Sequence, residues 1–110
     1  MAEQTKVLGQ RDPAAATLET IYTVTAPVTG AVVSSIIICN RSATPTAFRI
    51  AVSPAGAAIS DEMYQYFDRP IGANDTFAAT LGIGLEVTDL IRVYATLATL
   101  SFSAHGLEIT

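Results

Sequence analysis

The chain has one cysteine, Cys39, and one histidine, His105, and no other side chains in it pair so readily for nucleophilic chemistry. A catalytic thiolate would need the imidazole beside the sulfur, and the sulfur exposed in an electropositive pocket. Cys39 instead ends the run Ile36-Ile37-Ile38-Cys39 and is expected as an inert core thiol. His105 precedes Gly106 and reads as a solvated or interface side chain. One His and one Cys cannot build a zinc site. The carboxylates Asp61, Glu62, Asp68, Asp75, Glu86 and Asp89 lack the spacing of an EF-hand. A calcium ion shared by Asp75 and Asp89 is conceivable. The preferred reading makes both turn residues that bond nearby backbone N–H groups. Gly82-x-Gly84 has Val87 where a dinucleotide fingerprint needs its third glycine, so it reads as a turn. No catalytic residue, metal ligand or cofactor is expected.

Binding chemistry is better represented. Tyr64, Tyr66 and Phe67 stand within four residues and could form an aromatic platform on which sugar rings stack. With no Trp in the chain, a core or subunit contact is preferred for them. Asn40-Arg41-Ser42 and Asn74-Asp75-Thr76 have the form of glycosylation acceptors and read as polar turns. The opening MAEQTKVLGQ has neither the basic nor the apolar region of a secretory signal.

These side chains must be positioned by β-structure. The 110 residues are half hydrophobic, but only 15% are charged. Such a length makes one domain that buries roughly two-thirds of its unfolded surface. The charge shortfall, with positive mean hydropathy, suits a membrane protein or a protein buried in an assembly. The longest apolar run, Ile36–Cys39, is far short of the ~20 residues of a spanning helix, so assembly is expected rather than a membrane. The net charge is −4 and the basic residues stand singly, which argues against nucleic acid as a partner.

Strand-like segments recur at intervals of about ten residues, and no amphipathic helix interrupts them. They are Thr5–Gly9, Leu18–Val24, Val32–Asn40, Ala47–Ser53, Met63–Asp68, Asp75–Leu81, Leu90–Thr96 and Ala98–Ala104. The pattern predicts an all-β, single-domain sandwich of jelly-roll type, with seven to eight short antiparallel strands. Residues 17–110 form the sandwich, and the polar Met1–Ala16 is expected as an arm that orders against a neighbour. Val32–Asn40 and Ala47–Ser53 read as a hairpin. Its first strand is apolar on both parities, Val32, Ile36 and Ile38 against Val33, Ile37 and Cys39, so both faces should be covered. A sandwich has one inner layer. Val33 and Ile37 are therefore expected on an outer face closed by another subunit, with Tyr64, Tyr66 and Arg92 nearby.

Several stretches resemble a family of small proteins of tailed bacteriophages, including phages of cyanobacteria. They are Val7-Leu8-Gly9-Gln10-x-Asp12-Pro13, Ile21-Tyr22-Thr23-Val24, Cys39-Asn40-Arg41-Ser42, Phe48-Arg49-Ile50-x-Val52, Gly82–Val93 and Leu100-Ser101-Phe102 leading to Gly106-x-Glu108-Ile109. The resemblance covers nearly the whole chain and rests on strand and turn patterns. It implies a non-enzymatic virion component, assembled in the bacterial cytoplasm, either associated with tail fibre or baseplate or decorating the capsid as cement. It also implies a homo-oligomer, with a trimer expected because fibres and cement sites use threefold positions, and other virion proteins as partners. The alternative is a carbohydrate-binding module that recognises a host surface glycan through Tyr64 and Tyr66.

Overall fold

The computed structural model describes residues 3–110. Its strands are β1 (Glu3–Arg11), β2 (Thr17–Thr23), β3 (Gly30–Asn40), β4 (Thr46–Ser53), β5 (Tyr64–Ile71), β6 (Thr76–Glu86), β7 (Leu90–Ala95) and β8 (Leu100–Ile109). They form two four-stranded antiparallel sheets, ordered β1-β8-β3-β6 and β2-β7-β4-β5, packed as a sandwich. The first strand pairs with the eighth, the second with the seventh, the third with the sixth and the fourth with the fifth. The chain is thus one long antiparallel ribbon, doubled back between β4 and β5 and rolled so that successive pairs fall into alternate sheets. This is the jelly roll, and the expected all-β sandwich is the fold.

The alternation seen in the sequence of β4, β7 and β8 is kept in space. Phe48 and Ile50, Ile91 and Val93, and Leu100 and Phe102 all point into the layer between the sheets and are fully buried there. Phe48 is the hub, with ring centroids 6.1 Å from Phe102, 5.8 Å from Phe77 and 6.0 Å from Tyr66. Aromatic pairs at such spacings add to the area they bury.

Four expectations are corrected. The segment 31–54 is not a hairpin: β3 and β4 lie in different sheets, and residues 41–45 carry the chain across the sandwich. Val33 is not on an outer face. The β3 register steps between Val33 and Ser35, so Ser34 is an extra residue and the parity of side chains switches there. Ala31 and Val33 before the step, and Ile36 and Ile38 after it, all face inward; Val33 is 0% exposed. Most of the double apolarity of this strand is one face counted in two parities. The expected arm holds β1, which pairs with β8 from Glu3 to Arg11 and so belongs to the sandwich. Its polar character is that of an edge strand, for which charge is protective. Finally, Gly82 and Gly84 lie within β6, and the turn is confined to residues 87–89.

Polar contacts tie the two sheets together along the β1/β2 side. Arg11 Nε donates to Glu19 Oε1 at 2.7 Å, and the Ala14 N–H donates to Glu19 Oε2 at 2.7 Å. That backbone bond, with Arg11 behind it, holds Glu19 below the usual carboxylate range. Farther along, the Tyr22 hydroxyl donates to Glu108 Oε2 at 2.6 Å, and Lys6 Nζ lies 3.1 Å from Glu108 Oε1. The Tyr22 bond chiefly, and Lys6 after it, pulls the Glu108 carboxyl down. Burial pushes the Tyr22 phenol up, and Glu108 adds to the effect.

A depressed carboxyl stabilises the fold above its unfolded pKa, and that contribution is lost as the pH falls through the folded value. Tyr22→Phe is therefore expected to cost about 1–2 kcal/mol at neutral pH. In thermal melts at a series of pH values, the gap between wild type and variant should close below the ordinary carboxylate range. A gap independent of pH would show that Tyr22 acts through packing alone.

Candidate functional site

The outer face of the second sheet carries the most elaborate side-chain cluster. Because β4 lies between β7 and β5, the outward Arg49 is flanked by aromatic rings from both neighbours. Its Cζ stands 4.0 Å from the Phe67 centroid, 4.3 Å from that of Tyr94 and 6.0 Å from that of Tyr64. Tyr64 and Phe67 meet edge to face at 4.9 Å. Asp68 accepts from Arg49 Nε at 2.7 Å and from Nη2 at 3.3 Å, which raises the guanidinium pKa further and fixes its plane. Phe67 is 57% exposed. The arrangement is a rigid aromatic–guanidinium platform built on strands.

Bulges in β5 create it. Ala51 pairs with Tyr64 and Ile50 with Tyr66, which leaves Gln65 as an extra residue; Phe48 then pairs with Arg69, so the register slips again around Phe67-Asp68. Asp68 has φ 51°, in the left-handed region. Tyr64 and Tyr66, expected on one face, therefore fall on opposite sides of the sheet. Tyr66 turns inward against Phe48 and Phe77, while Tyr64 joins Phe67 outside. Tyr64 lies against Phe67, whereas Arg49 and Tyr94, which complete the cluster, were not among the expected residues. Their outward alternation on β4 and β7 was the available signal.

Arg92, also expected near an interface, is on this same outer face. It is partly covered by the connection between β4 and β5, and its Nη2 donates to the Ala57 carbonyl at 3.4 Å. The same connection buries Ser53, whose hydroxyl meets Met63 Sδ at 3.4 Å.

The outer face of the first sheet is plainer. Ile37 is half-buried there, between Ser103 on β8 and Ala78 on β6; Cys39 lies between Ser101 and Thr76. Cys39 is thus an outward, partly exposed thiol rather than a core one. It lines a shallow, open depression of about 440 Å³ with Arg11, Asp12, Ile37, Arg41 and Ser103. Arg11 is paired with Glu19, and Arg41 Nη2 donates to the Ala98 carbonyl at 3.3 Å. Cys39 sits opposite Ser101 and His105 four residues farther along β8, roughly 13 Å away, so the two are not brought together. His105 Nε2 instead meets Ser103 Oγ at 2.9 Å. Residues two apart on a strand share a face, which suffices to explain that contact.

Asp75 and Asp89 stand at opposite ends of β6, roughly 35 Å apart. Asp75 Oδ1 accepts from the Thr76 N–H at 2.8 Å, while Asp89 accepts from Ala55 and Glu86 N–H groups at 2.8 and 2.9 Å. Both are turn residues. Among the described residues no group of three His, Cys, Asp or Glu side chains is arranged to hold a metal ion.

Fold and surface together define a jelly-roll domain with one ordered aromatic–guanidinium face. No protein-family model matches the chain, and a search of curated proteins gives no match either.

Proposed function

We propose that the protein is a structural, non-enzymatic component of a tailed-phage particle that acts by contact with other virion proteins. The observation that carries this reading is the Arg49–Tyr64–Phe67–Tyr94 platform on the outer face of the second sheet. Aromatic rings and arginine dominate the energetics of protein contacts, and here they are held in place before any partner arrives. The low charge of the chain and its resemblance to phage proteins support the same reading. Jelly rolls build viral capsids, and they also build lectins and cupins, so the topology is compatible with it without selecting it.

The motive for a trimer closing over Val33 and Ile37 is weaker than the sequence suggested. Val33 is in the core, and Ile37 stands among serine, threonine and alanine. Contact through the second sheet replaces that surface in the present reading.

A specific observation favours glycan binding as the second reading. Phe67 and Tyr64, with Asp61 beside them, line a shallow hollow of about 390 Å³, and a sugar ring can stack on an exposed aromatic while a carboxylate accepts from its hydroxyls.

Phe67→Ala and Arg49→Ala distinguish the readings. Tagged wild-type protein should be found in purified particles, and each variant should be incorporated at least tenfold less, with an unchanged thermal melt. Undiminished incorporation of both variants would remove the platform from assembly. Retention of the wild type on host surface polysaccharide, lost in Phe67→Ala, would establish the glycan reading instead.

A further inference from the structure

The two sheets have four edge strands, and they are protected unequally. β1 carries Glu3, Lys6 and Arg11 and a register step between Val7 and Gly9. β2 carries Glu19 and a step between Thr20 and Tyr22. β5 carries Asp68, Arg69 and Pro70 and two steps. Charge, proline and bulges are the devices that keep a sheet edge from pairing with another chain. β6 has little of this. From Thr76 to Leu85 it reads TFAATLGIGL, ten residues without a charge or a proline, and its one register step lies at its middle, between Thr80 and Ile83. It pairs with β3 on one side and has no strand partner on the other among the described residues.

Its glycines need an explanation that this chain does not supply. Gly82 and Gly84 do not have positive φ, and a Cβ built on either meets nothing within 4 Å. Neither backbone conformation nor crowding inside the subunit calls for glycine, which weakens a strand interior. Gly106 on β8 is the contrast, since a Cβ there would overlap the Val32 carbonyl oxygen. What remains is approach from outside. On the outer face the two glycines leave room at the edge of the sheet for the side chains of an added strand.

We infer that β6 is an assembly edge, on which a second copy of this chain adds its own β6 antiparallel across a twofold axis. The self-pairing follows from the distribution of charge. The charged or proline-bearing edges of a second copy are poor partners, and β6 alone is smooth enough to accept β6. Centred on Leu81, the pairing sets Thr80 against Gly82, Ala78 against Gly84 and Thr76 against Glu86. No like charges meet, and on the outer face each glycine receives a threonine or alanine. Two four-stranded sheets then become one eight-stranded sheet running through both subunits. Such an isologous contact is closed and does not propagate into a filament. The inference does not depend on the virion assignment.

Gly82→Lys and Gly84→Lys test it, because the open space at both positions lets the subunit fold. In sedimentation equilibrium at hundreds of micromolar, wild type is expected at twice the 11.5 kDa subunit mass. Both variants should sediment as monomers with unchanged circular dichroism, while Thr20→Lys on the β2 edge should remain dimeric. Hydrogen exchange on the wild type gives a readout independent of any variant: amides of β6 should exchange at least tenfold more slowly in the dimer than after dilution to monomer. A wild type that stays monomeric overturns the inference. So does a dimer that survives both lysines, one that Thr20→Lys dissolves, or one whose β6 amides exchange at the monomer rate.

Discussion

Replacing Asn40 with alanine is expected to lower the unfolding free energy by about 2–4 kcal/mol, among the largest effects of any side-chain truncation in this protein. Asn40 ends β3 and is 1% exposed. Its Nδ2 donates to the Thr44 carbonyl at 2.9 Å and to the Gly72 carbonyl at 3.0 Å, and its Oδ1 accepts from the Ser42 N–H at 3.1 Å. One side chain therefore joins the crossover between the sheets to the turn between β5 and β6. Its own N–H donates to the Asp75 carbonyl at 2.9 Å, and Asn74 N–H bonds the Ser42 carbonyl at 2.8 Å. Alanine would remove the partner of the Thr44 and Gly72 carbonyls and of the Ser42 N–H around a buried position, and polar groups left unpaired there carry a desolvation cost. Urea denaturation measures the loss directly. Asn40→Asp sharpens the test. A carboxylate would face the Thr44 and Gly72 carbonyls, so its pKa must rise on folding and the variant should gain stability as the pH falls. An Asn40→Ala protein within 0.5 kcal/mol of wild type, on the order of an ordinary surface change, would show that water replaces these bonds freely.

Gly106→Ala is expected to cost about 3 kcal/mol or more, although it adds a single methyl group. The added Cβ would overlap the Val32 carbonyl oxygen and lie 3.0 Å from Val33 Cα, both backbone atoms that cannot swing aside. The crowding comes from the β3 bulge. Val33 pairs with Gly106 and Ser35 with His105, so three residues of β3 are accommodated against two of β8. Gly84→Ala on the open edge is the control and should be neutral or slightly stabilising. Equal effects at the two positions in chemical denaturation would mean that β8 shifts to accept the methyl.

The two positions also show what can be read in a sequence of this kind. Strands announce themselves through β-branched residues and period-two alternation, and β4, β7 and β8 were legible residue by residue because the extra residues at their register steps fall on the partner strands and leave their own alternation intact. Bulges leave no such mark. Ser34 and Gln65 look like ordinary strand residues, yet each reverses which side chains face the core, and that reversal moved Val33 inside and separated Tyr64 from Tyr66. The sheet assignment of β3 and β4 was hidden for a different reason. A five-residue connection serves a hairpin and a crossover equally well. Of the platform, Tyr64 and Phe67 were visible as neighbours in the chain, whereas Arg49 and Tyr94 join them only through strand order, which alternation does not encode.

The pairing of first strand with last has a temporal side. Glu3 lies opposite Ile109, so β1 has no partner until the final strand has left the ribosome. Among the described residues only β4 and β5 are paired strands that also follow one another in sequence, since every other pair encloses the strands between its members. The β4–β5 pair therefore has the shortest loop to close, whereas the apolar β3 has both of its partners, β6 and β8, later in the chain. Folding from the middle outward makes this a slow, nonlocal topology. The isoleucine run of β3 is the segment that a nascent chain most needs shielded.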